Sequence, residues 1–246
     1  PGLALKEAYD LVSAVDAQLE GNLEFAFDHE LGYLSACPTN LGTGMRASAM
    51  LHLPGLVLSV QIAQVLQAVG KLQLAVRGFF GEGTESLGNL FQISNQSTLG
   101  ESEDTIIRRL ERVIQQVASH ERNARQKLFE DDSDMVFDRV GRAYGTLRHA
   151  HVIPSKEALN LLSILRLGAE LGFFPPETGG TCDSLLMEIQ PAHLQLHSGE
   201  KLNPEQRDAI RAEIIRSRLQ SLDPPAIVAN QESEELHPPS DTDADS

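Results

Sequence analysis

The chain has 246 residues, 41% hydrophobic and 5% aromatic, which is enough to bury a mainly aliphatic core. Its formal charge of −15 excludes a duplex nucleic-acid binder, which needs a basic face to displace phosphate counterions. No apolar run approaches the ~18 residues of a membrane-spanning helix, and two cysteines, Cys37 and Cys182, build no disulfide framework.

In chain order, Leu5, Ala8, Leu11, Val12, Val15 and Leu19 recur at helical spacing and predict one amphipathic helix over residues 4–20. "LGYLSAC" (31–37) reads as a short strand, broken by Pro38 and two glycines. "RASAMLHLP" reads as a helix that Pro54 bends or ends, and residues 55–69 as a buried helix. "LQLAVRGFF" (72–80) alternates like a strand, 81–88 is a loop, and "NLFQIS" (89–94) is another strand. Ser102 and its acidic neighbours start a long helix to about Leu128. "EDDSD" (130–134) is a linker or a helix start, followed by helices at about 135–149 and 155–172. Residues 172–181 read as a loop and "SLLMEI" (184–189) as a strand. The stretch 203–220 is a helix with Pro204 near its start and Ile210, Ile214, Ile215 and Leu219 as its stripe.

Residues 223–246 are rich in Pro, Ser, Asp and Glu and read as a disordered acidic tail. Seven acidic residues follow Arg218 with no Lys or Arg, leaving −8 of the −15 on the body. No secretion signal opens the chain, so a cytoplasmic location is expected, and a start at Pro1 reads as a fragment or processed product.

Most chemical motifs are absent. "GTGMRA" and "GEGTES" each hold GxG without completing a dinucleotide or phosphate-loop fingerprint. There is no HExxH, paired CxxC or GxSxG, and His149-Ala-His151 reads as an exposed turn, so no metal site is expected. Two stretches stand out, "CPTNLGTGMRAS" (37–48) and "RGFFGEGTES" (77–86). Each sets an arginine beside a glycine-rich turn at a strand edge. Arginines beside approachable backbone can cradle a polyphosphate; equally, Arg46 can cap a loop and Arg77 form a surface pair.

Together with "FQISNQ", these blocks resemble, in order and spacing, the signature of the guanidino (phosphagen) kinase family over residues 1–129. Met50, the sequence GEGTE and the sequence ISNQ are similar to the bacterial protein-arginine kinase arm of that family. So is "RDAIRA" (207–212), an RDxxRA motif. The resemblance implies an α+β fold in three parts. An antiparallel sheet flanked by helices forms a catalytic lobe over 1–130. A mainly helical region over 131–222 bears the phosphoarginine-binding motif, and the acidic tail spans 223–246.

The implied reaction transfers the γ-phosphoryl of Mg-ATP to arginine side chains of proteins, by positioning and charge neutralisation. By the resemblance, Arg46 and Arg77 contact the ATP phosphates. The runs Arg46, Ala47, Ser48, Ala49, Met50 and Arg77, Gly78, Phe79, Phe80, Gly81, Glu82 form much of the nucleotide site. Glu82 holds the guanidinium and helps take its proton. Cys37 sits against the same group as a thiolate, or else is a small residue filling a turn. Arg207, Asp208, Arg211 and Ala212 line a phosphoarginine pocket coupling product binding to activity, against the plainer reading of a charged helix with internal pairs.

A homodimer is also implied. The family's NEEDH-type block, which supplies a second catalytic carboxylate, has no counterpart here, so the chain is expected to hold about half the site and to be inactive alone. The alternatives are a non-catalytic phosphoarginine-binding module or pseudokinase, and a small-metabolite guanidino kinase.

Overall fold

The computed structural model describes residues 2–78 and 86–227. Phe79, Phe80, Gly81 and Glu82, and the tail from residue 228, lie outside the described residues.

Helix α1 (Leu5–Glu20) forms as its spacing predicts but buries none of its residues, and Leu11, Val12, Val15 and Leu19 all face solvent. A two-stranded hairpin follows, β1 (Phe27–Asp28) with β2 (Gly32–Tyr33). The expected strand at 31–37 therefore shrinks to two residues outside the main sheet. It ends where Cys37 leads into the short 3₁₀ turn Pro38–Asn40.

The main sheet has three antiparallel strands, β3 (Ser48–His52), β4 (Leu74–Gly78) and β5 (Leu90–Asn95), with β5 in the middle. β3 corrects the helix expected over "RASAMLHLP". Ala, Met and Leu favour helices, but Ala49 and Leu51 alternate inward against Ile93 and Phe91, and that pairing overrides propensity. Pro54 begins a helix instead of ending one. The single helix expected over 55–69 divides into α2 (Pro54–Leu58) and α3 (Ile62–Lys71). Val60 interrupts it in the left-handed region at φ 60°, a strained place for a β-branched residue, and Ser59 turns its hydroxyl back onto the Gly55 carbonyl at 2.7 Å.

Helix α4 (Glu103–Asp131) starts as read, with the Ser102 hydroxyl accepting from the Thr105 amide at 3.3 Å. Asp132 alone separates it from α5 (Ser133–His149) and caps that helix through the Met135 amide. Helix α6 (Ser155–Glu170) is followed by α7 (Glu177–Glu188), α8 (Pro191–Ser198) and α9 (Pro204–Arg218). Helix α7 corrects both the loop at 172–181 and the strand at 184–189. Thr178, Cys182, Leu185 and Ile189 are all buried at steps of four, three and four, a helical stripe that a six-residue window cannot reveal. Helix α8 goes unread in the sequence because its apolar residues keep no face. Helix α9 opens with a reciprocal capping box between Asn203 and Gln206.

Among the described residues, apolar burial falls into two clusters. One joins Leu51, Leu74, Phe91 and Ile93 of the sheet to Leu110, Val113 and Val117 of α4. The other gathers Val140, Leu162, Phe173, Leu185 and Ile215 from α5 to α9.

A polar junction joins them. Buried Glu121 of α4 accepts from the Gly55 and Leu56 amides at 2.7 and 2.9 Å, capping α2, and pairs with Arg125 at 2.5 Å. Arg125 in turn pairs with Glu170 of α6 and donates to the His52 carbonyl at 3.0 Å.

Candidate functional site

Pleating sorts the sheet's residues. Partners across antiparallel strands share a face, so the register sets Ala49, Ile93 and Val76 together on the side covered by α4. The other face takes Ser48, Met50 and His52 from β3, Ser94 and Gln92 from β5, and Arg77 from β4. Met50 and Arg77 flank Gln92 in one row, and both are exposed. Gln92 donates to the Ser48 hydroxyl at 2.9 Å.

Arg46 precedes β3 by two residues and donates through Nη2 to Ser94 Oγ at 3.2 Å, which lays its guanidinium along the same face. The two arginines singled out in the sequence thus converge on one sheet face, among hydroxyl and amide groups. Ala47 sits at the head of β3, its amide on Asn95 Oδ1 at 2.8 Å, and Ala49 turns inward. Gly78 pairs with Phe91 at the end of β4.

Asn95, inside the ISNQ stretch, holds this edge. Besides accepting from Ala47, it donates to the Met45 and Ser97 carbonyls at 3.0 and 3.1 Å. Thr98 does the same for the preceding loop, its hydroxyl lying 3.1 and 2.6 Å from the Thr39 and Leu41 carbonyls. Gly42, at φ 96°, lies against this segment. A Cβ there would come within 2.4 Å of the Thr98 carbonyl oxygen, so only glycine fits. The whole stretch 37–48 is therefore moored to residues 94–98. Both are polar anchors in a motif-like run, "FQISNQST", which is the signal that could have found them.

Cys37 is exposed on that moored loop, its Sγ 3.0 Å from the Thr39 hydroxyl. The Thr39 side chain, then its backbone amide, pulls the thiol below its usual pKa. Among the described residues no hydrogen bond links Cys37 to Arg46 or Arg77. Cys182 is its opposite, a core residue whose thiol burial pushes up to about 12.

The RDxxRA motif on α9 divides in two. Arg211 is 1% exposed, donating to the Ile189 carbonyl at 3.2 Å and the Ile153 carbonyl at 2.9 Å and pairing with Asp208, while Ala212 is buried in the helical core. Arg207 and Asp208 remain half-buried, Arg207 donating to the Leu202 carbonyl at 2.9 Å. A phosphoryl group shared by Arg207 and Arg211 would require Arg211 to leave two carbonyls.

No group of three or more metal-binding side chains occurs among the described residues. No helix among them is long and apolar enough to cross a membrane.

Residues 1–124, just over half the chain, match the family described as ATP:guanido phosphotransferase, C-terminal catalytic domain, and the chain belongs to that family. Residues 133–232 match the protein-arginine kinase McsB C-terminal domain. Two curated relatives, both named protein-arginine kinase, are similar over 90% of the chain: that of Pelotomaculum thermopropionicum is 49% identical over 222 residues, and that of Syntrophomonas wolfei 50% identical over 221. The chain spans 62% of the length of each. Among solved structures, lombricine kinase is 30% identical, covering 48% of this chain and 31% of that one, with a TM-score of 0.38.

Proposed function

We propose that this chain is the catalytic lobe and helical region of an ATP-dependent protein-arginine kinase. The observation carrying the proposal is that Arg46 and Arg77 share one sheet face, in a chain of the guanido phosphotransferase family. Two guanidiniums beside Ser48, Ser94 and Gln92 suit a polyphosphate, which needs fixed positive charge and donors. Mg²⁺ would enter with the nucleotide. Glu82 would hold the substrate guanidinium and accept its proton as the new N–P bond forms and the bond from the γ-phosphorus to the bridging oxygen of ADP breaks. Cys37, with its lowered pKa, would lie against the same guanidinium as a thiolate.

The proposal extends to the helical region. Arg207 and Asp208 are the accessible half of a phosphoarginine site, with Arg211 and Ala212 as its support, and this region also carries a homodimer contact.

The test is to incubate the full-length protein with γ-labelled ATP and an arginine-rich protein, and separately with free arginine. Acid-labile label on the protein is expected. Label on free arginine alone would replace the protein substrate with a small metabolite. Glu82→Gln should lower kcat by about 10³-fold while nucleotide binding stays. The 246-residue chain by itself is expected to leave both substrates unlabelled, because the family's second carboxylate block has no counterpart in it.

A further inference from the structure

We infer that Asn160 and Ser163 of α6 are positioning residues for the sheet face carrying Arg46 and Arg77; this rests on the phosphotransfer reading above. The two side chains lie three positions apart, on one side of a helix otherwise belonging to the helical core. Each reaches out to the strand ends of the sheet. Asn160 Oδ1 accepts from the Gly88 amide at 2.9 Å. Ser163 Oγ accepts from Asn89 Nδ2 at 2.7 Å and lies 2.7 Å from His52 Nε2.

These contacts hold two strand ends at once. His52 is the last residue of β3 and Asn89 precedes the first residue of β5. Asn89 also ties them directly, accepting from the Leu53 amide at 2.9 Å. Gly88 and Asn89 both have left-handed backbone, at φ 65° and 54°. Gly88 packs so closely on α6 that a Cβ would stand 3.1 Å from the Leu159 carbonyl oxygen. Gly and Asn enter this region cheaply, and contact with α6 fixes the path they take into β5. Because β5 is the middle strand, the place where it starts sets the register of Gln92 between Met50 and Arg77, and of Ser94 between Ser48 and Ala75. Gly88 also follows Glu82 by six positions in the chain.

Asn160 is exposed, so replacing it opens no cavity. That makes it a clean probe of positioning as opposed to folding. Misplacing reacting groups by about an ångström can cost up to ~100-fold in rate.

The experiment compares wild type, Asn160→Ala and Asn160→Asp in the full-length protein. It measures kcat and KM for ATP, and hydrogen–deuterium exchange of the peptide covering residues 86–92. Asn160→Ala should lower kcat about tenfold with KM for ATP within about twofold, and should speed exchange in that peptide. Asn160→Asp keeps the acceptor and should restore both. Ser163→Ala should act in the same direction. A wild-type kcat in Asn160→Ala overturns the inference, whatever the exchange does. If the wild type transfers no phosphoryl group, the function reading falls. The exchange then decides the clamp alone: faster exchange supports it and unchanged exchange overturns it.

Discussion

The two cysteine thiols shift in opposite directions, and the cause is local in each case. The Thr39 hydroxyl and amide stabilise the Cys37 thiolate, whereas burial and then Asp183 raise the Cys182 thiol. In the native protein iodoacetamide should therefore label Cys37 well before Cys182. The pH of half-maximal Cys37 labelling should lie below that of a free thiol, and Thr39→Val should move it upward. Mass spectrometry of the two peptides measures this, and equal labelling of both cysteines would contradict the local cause.

Arg211 and Arg207 differ just as sharply, although both belong to one motif. Arg211→Met strips a buried partner from Asp208 and two carbonyls, and should cost about 3 kcal/mol in urea denaturation. Arg207→Ala should cost about 1 kcal/mol or less, yet weaken phosphoarginine binding at least tenfold by calorimetry. The motif itself was legible in the sequence. The inward turn of one arginine was not, because its partners are carbonyls contributed by Ile153 and Ile189, which no side-chain pattern announces.

Among the elements, β3 and α6 meet at a buried imidazole. His52 has Ser163 at its Nε2, an unpartnered Nδ1, and Arg125 and Arg166 as charged neighbours. Burial first, then the two arginines, hold its pKa well below the ordinary 6.5. The unfolded chain thus binds a proton near pH 6.5 that the folded chain refuses, so this group removes stability as pH falls below 6.5. Denaturation at pH 7.5 and pH 5.0 should reveal a larger acid loss in wild type than in His52→Gln. Groups common to both proteins cancel in that difference. If both proteins lose stability equally, His52 is not held neutral.

The long helices α4 and α9 were readable because period and caps agree, and α6 because its apolar period follows Pro154. The elements misread in the sequence were those that tertiary contact decides. β3 is a strand because β5 pairs with it, and α7 is a helix because the core behind it accepts one stripe.

On the scale of the whole molecule, the sheet has only three strands among the described residues. The outer edges of β3 and β4 carry no ladder partner there. The apolar side of α1 is also uncovered, with Leu11 73% and Val12 66% exposed. Open strand edges and a bare apolar stripe invite self-pairing. The 246-residue chain should associate with rising concentration, and sedimentation velocity should detect this. Leu11→Glu with Val15→Lys should suppress it while leaving the helical content unchanged. A chain that stays monomeric at every accessible concentration would mean those surfaces are less adhesive than their exposure implies.

Helix α6 is gripped at its head and at its middle. At its head, both backbone polar groups of Ile153 are engaged by α9, the amide by the Asp208 carbonyl and the carbonyl by Arg211. Ten residues further on, Ser163 holds the ends of β3 and β5. A helix rises about 1.5 Å per residue and barely compresses, so the stretch from Ser155 to Ser163 is a strut of about 12 Å between the two grips. A push or twist delivered at Ile153 arrives at His52 and Asn89 as rotation or travel of the same rod. A displacement of α6 at the arginine motif would therefore be felt at the strand ends too.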